Sequence, residues 1–201
     1  MIIIGITGVI GSGKSTVSTM LGQHGFPVFD LDEMAKKVTA SQEVLDEISI
    51  TFGKEYVSSG AIDTDKIKDL VFRDKDALRK LENIIHPKVR KKLFLAIGQY
   101  AKNKEKAVIV DAPLLFETGM NEKMDRIVVV STKMDILKDR LVKRGMSADD
   151  AARRLTFQIP LEEKERRADY VVKNNGSRTD LENEVAVLIA KIQSWEEEQC
   201  T

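Results

Sequence analysis

Apolar residues in this chain follow two alternating rhythms. Short apolar runs at Ile2–Ile6, Phe26–Phe29, Ala107–Val110, Ile127–Val130 and Tyr170–Val172 predict strands. The first run, interrupted only by Gly5, is β-branched on consecutive residues, as a strand buried on both faces of a parallel sheet requires. Between the runs the spacing turns helical. Val17, Met20 and Leu21 open a helix over Val17–Gly25, with Gly25 placed to stop it, and a shorter helix is predicted over Glu33–Val38. Leu181, Val185, Leu188, Ile189 and Ile192 line the inner face of a closing helix that reaches Trp195, a packing residue, and the tail 196–201 is expected to fray.

The middle of the chain breaks this alternation. From Met34 to about Gln99 the sequence is polar and helix-patterned, with no strong strand run. Val44, Leu45, Ile48 and Phe52 form one apolar face; Ile67, Leu70, Val71, Leu78, Leu81, Ile84 and Ile85 form another. Asp63-Thr64-Asp65 reads as a helix start, and His86-Pro87 as a helix end, because the residue before proline avoids the α region. This stretch predicts a helical insert between the second and third strands. A second arginine-rich stretch, Ile136–Gln158, carries Arg140, Arg144, Arg153 and Arg154 and is split into two helices by Gly145 and Ser147.

Composition sharpens the picture in a few places. A chain of 201 residues with 42% hydrophobic and 32% charged residues suits one α/β domain with inserts. Lys plus Arg equals Asp plus Glu at 32 each, which argues against a dedicated nucleic-acid binder. No run is long enough to span a membrane, and residues 1–6 lack the basic flank and cleavage site of a signal peptide. The single cysteine, Cys200, can form no internal disulfide, so a reducing, cytoplasmic setting is expected. Oligomeric state is left open.

The chemistry concentrates behind the first strand. Gly8, Gly13, Lys14 and Ser15 fall in the spacing G-x-x-x-x-G-K-[ST] between a strand and a helix. The glycines let backbone N–H groups converge on phosphate at the helix N-terminus. Lys14 can reach the β- and γ-phosphates, and the Ser15 hydroxyl can hold Mg²⁺. The stretch thus predicts a nucleoside triphosphate site. Asp30 and Asp32 follow the second strand, where α/β folds gather ligands. Read as extended chain, the two would point the same way and could face one substrate, a carboxylate there orienting or deprotonating an attacking hydroxyl. Either could instead cap the helix that follows. Asp111 closes the third strand, a pattern that supplies a second Mg²⁺ contact in many P-loop enzymes. The arginines of 136–158, near a phosphate site, suit a lid.

Among P-loop classes, a GTPase switch is opposed by the absence of any Asp with Gly three residues on, although Thr132-Lys133-Met134-Asp135 imitates a guanine-reading motif. Ser131–Asp135 is read as a helix cap, and a small-molecule kinase remains. Ile6-Thr7-Gly8-Val9-Ile10-Gly11-Ser12-Gly13-Lys14-Ser15-Thr16, the Asp30/Asp32 pair, Ile85-His86-Pro87 and Pro113-Leu114-Leu115-Phe116-Glu117 resemble the dephospho-coenzyme A kinase family. So do Arg154 with Gln158, Arg167-Ala168-Asp169-Tyr170-Val171-Val172 and Asn175-Gly176-Ser177.

The resemblance implies a three-layer P-loop fold with a five-stranded parallel sheet. It implies a nucleotide-binding core at 1–33, 100–135 and 160–201, an acceptor-binding insert at 34–99 and a lid at 136–159. The activity implied is transfer of the ATP γ-phosphate to the ribose 3′-hydroxyl of dephospho-coenzyme A, the last step of coenzyme A synthesis. By position, Asp32 becomes the base, with Lys14 and Arg140 catalytic. Gly11, Ser12, Gly13, Lys14, Ser15 and Thr16 take the phosphates, Asn175 and Gly176 lie near adenine, and Asp30, His86, Leu114 and Glu117 join Asp32 at the acceptor. Two departures stand out. The family accepts apolar residues at the position of Asp111, and Val9 replaces a glycine usual in its loop, tolerable unless the backbone there needs positive φ.

Overall fold

Three layers, helices on both faces of a parallel sheet, set the architecture. A computed structural model describes residues 1–199, so Cys200 lies outside the described residues. Five strands, β1 (Ile2–Thr7), β2 (Val28–Asp30), β5 (Ala107–Asp111), β6 (Arg126–Ser131) and β7 (Tyr170–Lys173), form the sheet in the order β2-β5-β1-β6-β7. In register, Ile4 lies beside Ile109, Ile6 beside Asp111, and Val128 beside Tyr170. Helices α1 (Lys14–Gln23) and α9 (Arg178–Glu198) cover one face, where Ile2, Ile4 and Ile6 pack with Val17, Leu21, Leu188 and Ile192. Each such side chain contributes ~1.5–3 kcal/mol by leaving water. On another core layer, Val129 packs with Leu137, Leu141 and Leu161 from α6 (Met134–Lys143) and α8 (Leu161–Arg166).

Two compact units divide the chain: residues 1–29 with 100 onward, and residues 30–99. The second holds α2 (Leu31–Thr39), α3 (Gln42–Phe52), α4 (Thr64–Arg73) and most of α5 (Lys75–Lys102). Its core joins Val38, Val44, Ile48, Ile67, Ile84 and Val89. Asp63 caps α4 by accepting from the Lys66 N–H at 3.1 Å, so the helix start expected there is present.

Several local expectations are overturned. A two-stranded antiparallel hairpin, β3 (Val57–Ser58) with β4 (Ala61–Ile62), lies in the region that shows no strong strand run; two residues per strand are too few to show a period of two. Pro87 does not end a helix. It sits inside α5, whose buried residues Ile84, Val89, Leu93 and Ile97 continue as one stripe across it. Lys88, held by Glu47 of α3 at 2.7 Å, also reaches the Ile84 carbonyl, so packing and an ion pair offset the hydrogen bond that proline cannot make. The tail does not fray at 196: α9 runs to Glu198, with Trp195 buried and Arg126 over its ring.

Candidate active site

Local backbone chemistry builds the phosphate loop between β1 and α1. Gly11 and Gly13 hold φ of 85° and 93°, which side chains with a Cβ rarely adopt. A Cβ on Gly13 would also strike the Asn174 amide, so the residue is required twice over. Val9 keeps an ordinary backbone and buries its side chain beside Leu137 and Leu141, which explains why valine is tolerated. No side chain caps α1, and its first turn carries no acidic residue. Its positive end is therefore suited to an anion.

Around that loop, helices α1 and α6 and strand β5 deliver charge. Lys14 pairs with Asp111, whose side chain at the end of β5 is only 4% exposed. Arg140, from α6, donates through Nη2 to both the carbonyl and Oδ1 of Asn174, each at 3.1 Å, and lies 3.4 Å from the Ser12 carbonyl. The Asn174 amide donates to the same Ser12 oxygen at 2.8 Å. Leu137 and Leu141 anchor α6 in the core, so Arg140 already faces the loop. Ser15 and Thr16 are exposed on the first turn of α1, and the Ser12 hydroxyl is buried without a protein partner. For Mg²⁺, the Ser15 hydroxyl and the Asp111 carboxylate are hard oxygen donors, a set completed in such sites by phosphates and water.

The Pro113–Glu117 stretch is anchored from behind. Lys164 of α8, fully buried, donates to the Pro113 carbonyl at 2.8 Å and pairs with Glu117 at 2.9 Å. Burial pushes its pKa below the usual lysine value, against the pull of Glu117. The Glu117 carboxylate also accepts from the Ile159 N–H at 2.8 Å, while Leu114 is exposed. Beyond Ile159, Gln158 accepts from the Ile10 N–H at 3.0 Å, tying the end of α7 (Ala148–Thr156) to the phosphate loop. The Ser131–Asp135 segment, expected to cap the next helix, supplies no side-chain cap to α6. Its Thr132 hydroxyl donates to the Asn174 carbonyl at 2.9 Å, and the Lys133 N–H is met by Asn175 Oδ1 at 2.7 Å, a contact supplied from the loop after β7.

In the second unit the two aspartates do not lie together on extended chain. The strand ends at Asp30, which caps α2 by accepting from the Glu33 N–H at 3.0 Å; Asp32 lies within the first helical turn. Both carboxylates are exposed. At about 100° per residue, side chains two apart on a helix diverge, so an Asp-x-Asp spacing that straddles a strand end does not share one direction. His86, half-buried in α5, has its pKa lowered by burial, with Arg90 adding to the effect and Glu82 opposing it.

A profile of the dephospho-CoA kinase family matches residues 2–180. The chain belongs to the dephospho-CoA kinase family. A dephospho-CoA kinase of Geobacillus kaustophilus is 38% identical over 196 residues, covering 96% of each chain. One from Fusobacterium nucleatum is 40% identical over 187 residues, covering 90% of this chain and 93% of that one. Among solved structures, dephospho-CoA kinase from Campylobacter jejuni superposes with a TM-score of 0.72 at 31% identity, covering 94% of this chain and 96% of that one. Shikimate kinase from Acinetobacter baumannii, 14% identical with a TM-score of 0.55 and covering 96% of this chain and 94% of that one, shares the P-loop kinase fold. The chain is therefore a phosphotransferase of this family. Among the described residues no helix is long and apolar enough to cross a membrane.

Two site residues were beyond sequence reasoning. Asn174 precedes the Asn175-Gly176 pair that motif matching selects, and Lys164 lies in a charged run, Glu162–Arg167, that reads as solvated surface. Only their burial, at 5% and 0% exposure, separates them from their neighbours.

Proposed function

We propose that this enzyme transfers the γ-phosphate of ATP to the ribose 3′-hydroxyl of dephospho-coenzyme A, with Asp32 as the base. The 3′-oxygen attacks the γ-phosphorus, the bond from that phosphorus to the β,γ-bridging oxygen breaks, ADP leaves, and the hydroxyl proton passes to Asp32. Gly11 to Thr16 wrap the phosphates. Lys14 exchanges its Asp111 partner for the β- and γ-phosphates, and Arg140 meets charge on the transferring group. Ser15 would hold Mg²⁺, which would neutralise charge on the triphosphate. Asn175 and Gly176 lie beside adenine. On the acceptor side, Asp30 orients Asp32 through the cap of α2, His86 and Leu114 contact the substrate, and Glu117 acts through the loop it holds with Lys164. The reaction belongs in the cytoplasm, where ATP is supplied.

One observation carries this reading: within a chain that matches the family along nearly its whole length, Lys14, Arg140 and the Ser12 carbonyl converge at the uncapped start of α1. The test is a panel of acceptors incubated with ATP and read by product mass. Dephospho-coenzyme A should gain one phosphate and its 3′-deoxy analogue none. Phosphate on the 3′-deoxy compound, or preferential phosphorylation of a free nucleoside or nucleotide, would sink the proposal.

A further inference from the structure

Asn174 is placed by backbone pairing and then used by its side chain. Its N–H extends the ladder between β6 and β7 by donating to the Ser131 carbonyl at 2.7 Å, and its own carbonyl accepts from Thr132 and Arg140. The carboxamide is thereby pressed, 5% exposed, between the phosphate loop and α6. Its orientation follows from the partners. The Ser12 carbonyl can only accept and the Arg140 guanidinium can only donate, so the NH₂ faces Ser12 and the oxygen faces Arg140. No other side chain of this length does both. Aspartate lacks the donor, and leucine lacks both groups.

We propose that Asn174 is a positioning residue for phosphoryl transfer, its carboxamide locking the Ser12–Gly13 backbone of the phosphate loop and the Arg140 guanidinium into one arrangement. The loop and the arginine then form a single ATP-binding unit. Loss of the carboxamide would release both at once: the Ser12 carbonyl would lose its shortest side-chain donor, and Arg140 would lose one of the acceptors that aim it. The inference rests on the ATP site of the proposed function and extends it to Asn174, which acts through the loop and the arginine it bonds.

Calorimetric titration of ATP into the full-length wild type, Asn174→Ala, Arg140→Ala and the double variant tests it. Asn174→Ala should weaken ATP binding about tenfold, the scale of one buried hydrogen bond to a charged group. In the double variant the two losses should fall well short of multiplying, since each change frees the same unit. Independent sites would multiply to within about twofold, and that outcome overturns the proposal. Asn174→Asp keeps the size and the Arg140 contact but sets a carboxylate against the Ser12 carbonyl. It should bind ATP more weakly than Asn174→Ala, and wild-type ATP affinity in the Asp variant overturns the proposal even if the Ala variant fails to fold. ATP binding does not depend on the acceptor. A wild type that fails to phosphorylate dephospho-coenzyme A would therefore count against the proposed reaction, while the ATP cycle still decides the role of Asn174.

Discussion

The two units of this kinase hold their polar side chains in opposite ways. In residues 30–99 most partners are neighbours in sequence: Asp30 caps through the Glu33 N–H, Asp63 through Lys66, Lys36 pairs with Glu33, and Asp74 accepts from Asp76 and Ala77. Around the phosphate loop the partners come from across the chain. Lys14 meets Asp111, Asn174 and Arg140 meet Ser12, Lys164 meets Glu117, and Gln158 meets Ile10. Local bonds on an exposed helix cost little to break and reposition. Long-range bonds in a buried corner keep charges in place before substrate arrives, which is what stabilising a phosphoryl transition state demands. The contrast predicts that variants in the second unit should separate activity from stability, whereas variants around the loop should couple them.

The largest effect expected is on Asp32. Asp32→Asn cannot take the proton and should lose ~10²–10⁴-fold in turnover. The side chain is exposed on a helix of local contacts, so the unfolding midpoint should stay close to wild type. Near-normal turnover in steady-state assays would remove Asp32 from the chemistry.

Lys14 should show the opposite behaviour. Lys14→Ala should cost ~10²–10³-fold in turnover, the scale of removing one preorganised charge-stabilising donor. Because it strands the buried Asp111 carboxylate, it should also cost ~3–5 kcal/mol of stability. Adding Asp111→Asn should recover most of the stability and none of the turnover. Calorimetry on the three proteins, beside their rates, reads both. An unchanged melting temperature in Lys14→Ala would show that the pair does not hold the corner together.

Lys164 holds the Pro113–Glu117 stretch, and its effect should fall chiefly on stability. Lys164→Met leaves Glu117 buried without its cation and should destabilise by ~3–5 kcal/mol in urea unfolding. A pH titration sharpens this. Burial holds the folded Lys164 below 10.5, so between its folded and unfolded values the unfolded chain binds more protons. Relative to Lys164→Met, the wild type should therefore gain stability as pH rises through that window. A parallel pH dependence in the two proteins would contradict the assignment.

The smallest effect belongs to a local cap. Asp30→Ala should cost ~1 kcal/mol, while Asp30→Asn, also a good cap, should cost almost nothing. A loss from Asp30→Asn comparable to that from Asp32→Asn would mean that Asp30 takes part in the reaction beyond capping α2.

What can be determined from the order of residues alone is what depends on short-range geometry. The apolar runs at Ile2–Ile6 and Ile127–Val130 mark strands because each must be buried on both faces. Gly13-Lys14-Ser15 marks the phosphate loop because the backbone there needs a residue without a Cβ, next to a cation and a hydroxyl. The Asp63 cap is legible for the same reason, its partner lying three residues on. Tertiary structure decided the rest. Continuation of α5 through Pro87 depends on packing of Ile84 and Val89 and on Glu47 of another helix, which outweigh a local preference. The roles of Asn174 and Lys164, and the pairing of Asp111 with Lys14, depend on partners 162, 51 and 97 residues away, so no spacing rule can disclose these contacts. A buried polar group must find its partner wherever the fold brings one, and the energy of leaving it without one is what selects these contacts.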